Sequence, residues 1–279
     1  MLGKTIQIFL PDGNARSIRI ADITSRTVQA IQIPRTKLKD SEERKEVQNV
    51  GIYFLFGEES EQARPLAYIG EAEVCYDRIV QHNKDPKKDF WNTAVIITSK
   101  TSGFTKAHGK YLEWYCITTS KEINRYTLSQ TSPSKPYVSE SMEADLFDNI
   151  DAIRILLSTL GFPILEPIQK SQSSKDIYYC KRKEYSGIGE YVEDGFIVFK
   201  GSKAKINESS AASQWIINQR KVLKENNVLK EEGNYLVFQS DYLFNSPSSA
   251  AAIIFGIQAN GWTEWKNSDG KTLDEIKRK

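Results

Sequence analysis

Five residues spread over roughly sixty positions carry side chains that could together attack a phosphate ester. Tyr53 stands in Gly51-Ile52-Tyr53 and Tyr68 in Tyr68-Ile69-Gly70. Arg78 follows ten residues after Tyr68, His82 four residues after Arg78, and Glu113 lies in Lys110-Tyr111-Leu112-Glu113-Trp114. A tyrosine hydroxyl can orient or deprotonate water. A guanidinium grips phosphate oxygens in pairs and opposes charge that develops on them. A carboxylate can begin a site for a hard divalent cation whose other ligands are water. On a helix, Arg78 and His82 fall on one face, because residues four apart are neighbours.

Other chemistries have too little to stand on. The chain has 279 residues but only 2 His and 3 Cys. His82 and His108 cannot supply an HExxH helix or a three-histidine zinc site. Cys75, Cys116 and Cys180 are too far apart for a metal clip or a disulfide framework, and read as inert thiols. Gly270-Lys271-Thr272 has the tail of a phosphate loop, but Trp265 stands where that motif needs its upstream glycine. Gly3-Lys4-Thr5 leaves no room for a preceding strand. Pro11-Asp12 with Glu43-Arg44-Lys45 imitates a carboxylate-and-lysine nuclease pattern, yet Asp12 sits in turn chemistry and Glu43 in a charge-rich stretch. There is no GxSxG elbow. The formal net charge is +2, so nucleic acid would have to be held by a local patch.

The five residues need elements to position them. Residues 1–48 read as a hairpin extension, with strands at Thr5 to Leu10 and Ser17 to Ile20 around the turn Pro11-Asp12-Gly13-Asn14. A third strand is expected at Val28 to Ile33, and a short solvated helix at Lys37 to Val47. Gly51 to Phe56 and Leu66 to Gly70 predict two antiparallel strands around an acidic turn at Gly57 to Arg64. Glu71 to Asn83 predicts a helix ended by Asp85-Pro86. Asn92 to Thr98 predicts a strand, and Phe104 to Ser120 a helix. Ser129 to Pro136 reads as a linker. The helix from Glu140 to Leu160 should present Leu146, Phe147, Ile150, Ile153 and Leu157 on one face.

After the polar break Gln169 to Lys175, two landmarks recur at one offset. Phe196 to Phe199 matches Tyr235 to Phe238, and Ser209-Ser210-Ala211-Ala212 matches Ser248-Ser249-Ala250-Ala251. Each half is expected to be a strand, a loop and a serine-capped helix. Trp114, Trp262 and Trp265 are expected in cores rather than as stacking platforms.

Residues 51–113 resemble the GIY-YIG nuclease family: both naming tripeptides are literal, and the order Tyr53, Tyr68, Arg78, His82, Glu113 agrees with it. The N-terminal segment, Phe90 to Ala94, Thr105 to His108 and Tyr111 to Trp114 resemble a bacterial subgroup of that family. That subgroup carries a C-terminal domain of unknown function, which Gly261-Trp262-Thr263-Glu264-Trp265 is similar to. The resemblance implies a metal-dependent endonuclease that leaves 5′-phosphate and 3′-hydroxyl ends. Tyr53, helped by Tyr68 and His82, would place or activate the water. Arg78 would grip the scissile phosphate and Glu113 would hold one Mg²⁺ or Mn²⁺. Gly70 would let the chain turn into the following helix. The chain departs from the family at Phe90-Trp91, where many members have a second histidine. After the glutamate helix, where many have asparagine, the nearest polar residues are Asn124 and Gln130.

The expected fold class is α+β: a small antiparallel sheet flanked by helices, with an N-terminal hairpin and a C-terminal α+β accessory domain. The expected divisions are 1–48, 49–135 for the nuclease module, 136–168 as a connecting helix, and 176–279. The partner would be DNA, duplex or branched, with Lys84, Lys87, Lys88, Lys106 and Lys110 as a basic rim, Lys100 near them, and Lys181 to Lys183, Lys200, Lys203 and Lys205 adding phosphate contacts. No apolar run reaches the roughly 20 residues of a membrane span, and the N-terminus has no signal-peptide pattern, so a cytoplasmic location is expected. The rival expectation is a nucleic-acid- or partner-binding module that keeps the fold without cutting. Each residue also has a plainer role: the tyrosines as sheet packing, Arg78 paired with Glu71 or Asp77, His82 as a helix-end histidine, and Glu113 paired with Lys110.

Overall fold

The computed structural model describes residues 3–57, 64–168, 176–182 and 185–279. The acidic turn before Arg64, the polar break at 169–175 and Lys183 lie outside them. The described chain is mixed α+β and divides into two compact units, one through Pro167 and one from Ile168.

The first unit is built on one seven-stranded sheet. Its strands are β1 (Ile6–Phe9), β2 (Arg19–Ile23), β3 (Val28–Pro34), β4 (Gly51–Gly57), β5 (Leu66–Ala72), β6 (Trp91–Ser99) and β7 (Thr127–Leu128). The spatial order is β1-β2-β3-β6-β4-β5-β7, antiparallel except that β7 joins β5 in parallel. The N-terminal hairpin is therefore part of the module's sheet rather than a separate extension. Strand β3 pairs along its whole length with β6, from Val28 opposite Ser99 to Pro34 opposite Thr93.

Strand β4 is buried on both faces, which is why its sequence is apolar throughout rather than alternating. Ile52, Phe54 and Phe56 face one core with Ile69, Val95 and Ile97. That side is covered by α2 (Lys106–Ile123) and α3 (Glu140–Thr159). Tyr53 and Leu55 face the other core, with Ile31, Ile33 and Ile96, under α1 (Cys75–Asn83). Helix α3 is thus no free connector. It buries Leu146, Ile150, Ile153, Leu156 and Leu157 on the sheet, while Phe147, expected on that face, is 51% exposed. Tyr111 Oη donates to Glu143 at 2.6 Å and ties α2 to α3.

Two expected helices change. Residues Arg35 to Gln48 form three short 3-10 turns instead of one helix. Arg44, in extended conformation, breaks the run, and Arg35 is occupied in reaching the Asn83 side chain (2.8 Å) and the Trp91 carbonyl (3.1 Å). Helix α1 starts at Cys75, because Glu71 and Ala72 continue β5 opposite Ile52 and Gly51.

The second unit carries strands β8 (Ile177–Arg182), β9 (Tyr185–Val192), β10 (Gly195–Val198), β11 (Lys203–Lys205), β12 (Leu229–Glu232), β13 (Tyr235–Phe238) and β14 (Tyr242–Phe244). Their order is β12-β13-β11-β9-β10-β14, with β8 also on β9. Helices α4 (Gln214–Glu225), α5 (Pro247–Phe255), α6 (Gly261–Glu264) and α7 (Leu273–Lys277) pack around it, and α5 is almost wholly buried. Trp265 is fully buried and donates Nε1 to the Pro247 carbonyl at 2.9 Å, in keeping with a core role. A strand, strand, helix order does recur in β10-β11-α4 and β13-β14-α5. The matched serines are not equivalent, however: Ser248 to Ala251 lie inside α5, whereas Ser209 to Ala212 form a turn before α4, which begins after Ser213. Arg182 is ion-paired with Glu264 and stacks on Phe255, so it is occupied within its own unit. Among the described residues no helix is long and apolar enough to cross a membrane.

Candidate active site

Tyr53 and Tyr68 come from neighbouring antiparallel strands. Tyr53 pairs with Gly70 and Tyr68 with Leu55, so the two tyrosines lie diagonally on the face that α1 covers. Their ring centroids are 6.1 Å apart. His82, on α1, is buried with its ring 5.6 Å from Tyr53 and 5.0 Å from Tyr68. Tyr53 Oη and His82 Nε2 are hydrogen-bonded at 2.8 Å. His82 lies in the last turn of its helix and is buried against the tyrosines, and Tyr53 also packs in the core of that face.

Gly70 is required for a reason other than a turn. Its φ is not in the left-handed range. A Cβ at Gly70 would stand 2.3 Å from Tyr53 Oη and 2.5 Å from Cζ, because the Tyr53 ring lies flat over the glycine. Gly70→Ala must therefore push that ring aside. Loss of the Tyr53–His82 hydrogen bond, seen in the imidazole NMR resonances, should accompany that displacement.

Arg78 is exposed one turn before His82, and donates to Gln81 Oε1 at 2.8 Å. Its guanidinium also interacts with the Tyr53 and Tyr68 hydroxyls. Among the described residues it has no carboxylate partner, so the expected alternative pairing with Glu71 or Asp77 is not formed. Glu71 instead turns to the opposite face of β5, against α2. A Cβ on Gly109 of that helix would lie 3.6 Å from Glu71 Oε2. Glu113, one turn further along, accepts the backbone N–H of Glu71. Two carboxylates thus meet beside the outer edge of β5. Sequence reasoning missed Glu71 because position 71 reads as the start of a helix there. Gln130 closes the same edge, with Nε2 on the Ile69 carbonyl at 2.6 Å and, among the described residues, no partner for its buried Oε1. Asn124 ends α2 in a left-handed conformation and bonds Arg64, away from this edge.

The electrostatics follow from burial and from these neighbours. Burial, reinforced by Tyr68, pushes the Tyr53 phenol well above its ordinary range. Burial, then the charges of Arg78 and Lys88, lower the His82 imidazole to about 4. Burial, then Glu71, raise the Glu113 carboxyl, opposed by the Glu71 N–H, Lys110 and Arg78. Arg78 therefore acts on both Tyr53 and Glu113. The His82 shift has a sign that can be checked. An unfolded histidine takes up a proton near pH 6.5, while the folded one resists it until about pH 4. The folded state should lose stability as pH falls from 6.5 toward 4, and His82→Phe should flatten that part of the profile in denaturant titrations.

The lysines separate into kinds. Lys84, Lys87 and Lys110 are exposed. Lys106 pairs with Glu73 at 3.3 Å and Lys100 with Asp22 at 3.3 Å. Lys88 alone enters the site, with Nζ 3.5 Å from the centroid of the Tyr68 ring. His108 forms a capping box with Thr105 at the start of α2 and has no part in the cluster.

The donor set suits a hard divalent cation, since Glu113 and Glu71 offer carboxylate oxygens. Among the described residues no group of three or more His, Cys, Asp or Glu side chains could hold a metal, so water and substrate oxygens would complete any such shell.

Comparison with known proteins yields no curated protein and no solved structure that matches the chain. No match to a GIY-YIG family model accompanies the cluster in the first unit. Residues 178–277 match the model of a domain of unknown function, DUF4357.

Proposed function

We propose that the first unit is a metal-dependent nuclease that hydrolyses phosphodiester bonds in DNA, in the manner of the GIY-YIG family. The observation that carries this reading is the convergence of Tyr53, Tyr68, His82 and a carboxylate-free Arg78 on one face, with Arg78 also acting on Glu113.

The residues divide the work by their chemistry. Arg78, which forms no ion pair with an acid among the described residues, binds the non-bridging oxygens of the scissile phosphate and stabilises the charge that gathers on them. Tyr53 keeps its own proton in the resting site and gives it in a hydrogen bond to neutral His82. As water attacks phosphorus, its proton passes to the Tyr53 oxygen while the Tyr53 proton moves to His82 Nε2. The bond from phosphorus to the 3′ oxygen breaks, and solvent protonates the departing oxygen. The products are a 5′-phosphate and a 3′-hydroxyl. Tyr68 packs against His82 and holds the ring in line. Glu113, with Glu71 beside it, would hold Mg²⁺ or Mn²⁺, which supplies positive charge toward the oxygens of the reacting phosphate. The DUF4357-like unit would add contacts to DNA through Lys181, Lys200, Lys203 and Lys205.

Supercoiled plasmid incubated with Mg²⁺, Mn²⁺ or EDTA, beside branched and single-stranded oligonucleotides, tests this. Metal-dependent nicking or linearisation with 5′-phosphate ends supports the reading. Binding of these substrates with no cleavage in any metal would favour the rival, a binding module that keeps the fold.

A further inference from the structure

We propose that Lys88 is a second cation on the reacting phosphodiester, gripping it together with Arg78 rather than serving as one of several rim lysines. The assignment rests on the phosphodiester reading above and extends it to a residue outside the five-residue set.

Lys88 sits in a short 3-10 turn, Pro86–Lys88, that follows α1. The turn is fixed by the Asp85 side chain, which accepts the Lys87 N–H at 3.0 Å, and by the Lys88 N–H on the Asp85 carbonyl at 2.9 Å. The side chain is half-buried, and its ammonium lies over the face of Tyr68, the ring that packs on His82. An ammonium over an aromatic face is held there by the ring quadrupole, so this position is built rather than incidental.

The partners that are missing point to the ligand. Lys37, Lys100, Lys106, Lys135 and Arg35 each pair with a carboxylate. Lys88 and Arg78 form no such ion pair among the described residues, Asp85 acting on Lys88 only through its charge, and both cations border Tyr68. Two cations at one place repel each other, and each lowers the proton affinity of His82, with Asp85 opposing them. An anion that accepts from both relieves that repulsion. A phosphodiester has two non-bridging oxygens, one for each cation. Burial lowers the Lys88 ammonium, Asp85 opposes that, and the Arg78 charge lowers it further. Nothing in the residues around it separates Lys88 from Lys84 or Lys87, because only the 3-10 turn brings it onto Tyr68.

The test uses the full chain and the variants Lys88→Met, Lys88→Arg and Lys87→Met. Methionine keeps a flexible side chain with favourable sulfur–aromatic contact on Tyr68, so the fold is kept. Inorganic phosphate is titrated while the His82 imidazole resonances are followed by NMR. In the wild type these resonances should shift, and Lys88→Met should weaken the phosphate affinity about tenfold, the loss of one charge-assisted contact. Lys87→Met should leave it within about twofold, as for an exposed charge. Single-turnover cleavage at saturating protein should fall about 10²-fold in Lys88→Met, the scale for losing one group that stabilises transition-state charge. Lys88→Arg should recover most of it. Equal phosphate affinity in Lys88→Met and wild type overturns the assignment, as does a wild type whose His82 ignores phosphate. A wild type that takes phosphate through Lys88 yet cuts no nucleic acid upholds this site and sinks the hydrolysis reading. A wild type that cuts as fast as Lys88→Met does the reverse.

Discussion

Arg78→Ala will lower the rate of DNA cleavage by about 10³-fold or more, the range lost when an arginine that stabilises a transferring phosphoryl group is removed. The size of the effect follows from what surrounds the guanidinium. It is exposed at one end of the tyrosine cluster, reaches Gln81 and both tyrosine hydroxyls, and has no acid to neutralise it among the described residues. Its charge is therefore free for substrate. The same exposure means that little packing is lost, so the melting temperature should hardly move. Arg78→Lys should recover only a small part of the rate, because an ammonium cannot present the two parallel donors of a guanidinium. A side effect serves as a check on the geometry. Arg78 is, after burial, the largest cause of the low His82 pKa, so in Arg78→Ala the imidazole should titrate at a higher pH. An inactive variant with an unshifted His82 would mean that Arg78 does not face the tyrosine cluster.

Glu113→Gln carries the second large effect. Glutamine is the same size and its amide oxygen can still accept the Glu71 N–H, so the change isolates the charge. We expect cleavage to fall about 10²-fold to 10³-fold, on the scale of removing one group that stabilises charge in the transition state. Raising Mg²⁺ should not restore the rate, because Glu71 alone is a poor anchor for a cation. Stability should move the other way. Burial and Glu71 disfavour the ionised carboxylate, so ionisation of Glu113 weakens the fold above the pH at which both folded and unfolded forms are protonated. A neutral glutamine removes that penalty, and the variant should melt at a higher temperature at neutral pH. Lower activity with higher stability marks a group retained for function. Lower activity with lower stability would instead mark Glu113 as structural.

The grouping of the candidate residues was legible because strand spacing carries it. Literal Gly51-Ile52-Tyr53 and Tyr68-Ile69-Gly70 on two antiparallel strands put both tyrosines on one face, and the helix that follows brings Arg78 and His82 to them. What depended on tertiary contact was not legible. Gly70 looked like a turn glycine, and only the Tyr53 ring lying on it shows the actual demand. Glu71 read as a helix start, yet β5 extends through Ala72 because Gly51 and Ile52 pair with it. Helix α1 begins after Val74 with no side-chain cap, so nothing local marks its boundary. The stretch from Arg35 to Gln48 has a helix-like charge pattern, but contacts of Arg35 with the end of α1 and with Trp91 hold it in separate turns. Phe147 has the spacing of a core residue and remains half in solvent, where Tyr115 meets it edge-on at 6.0 Å. In the second unit the repeated Ser-Ser-Ala-Ala letters fell on a turn in one case and inside a helix in the other, so the offset reflected composition more than structure.

Plasmid cleavage by the wild type and Glu113→Gln side by side, across one Mg²⁺ titration with an EDTA control, tests metal-dependent hydrolysis directly. A wild type that nicks or linearises the plasmid only with metal, and a variant that fails at every Mg²⁺ concentration, is the predicted result. Equal cleavage by the two proteins, or cleavage that persists in EDTA, would contradict it.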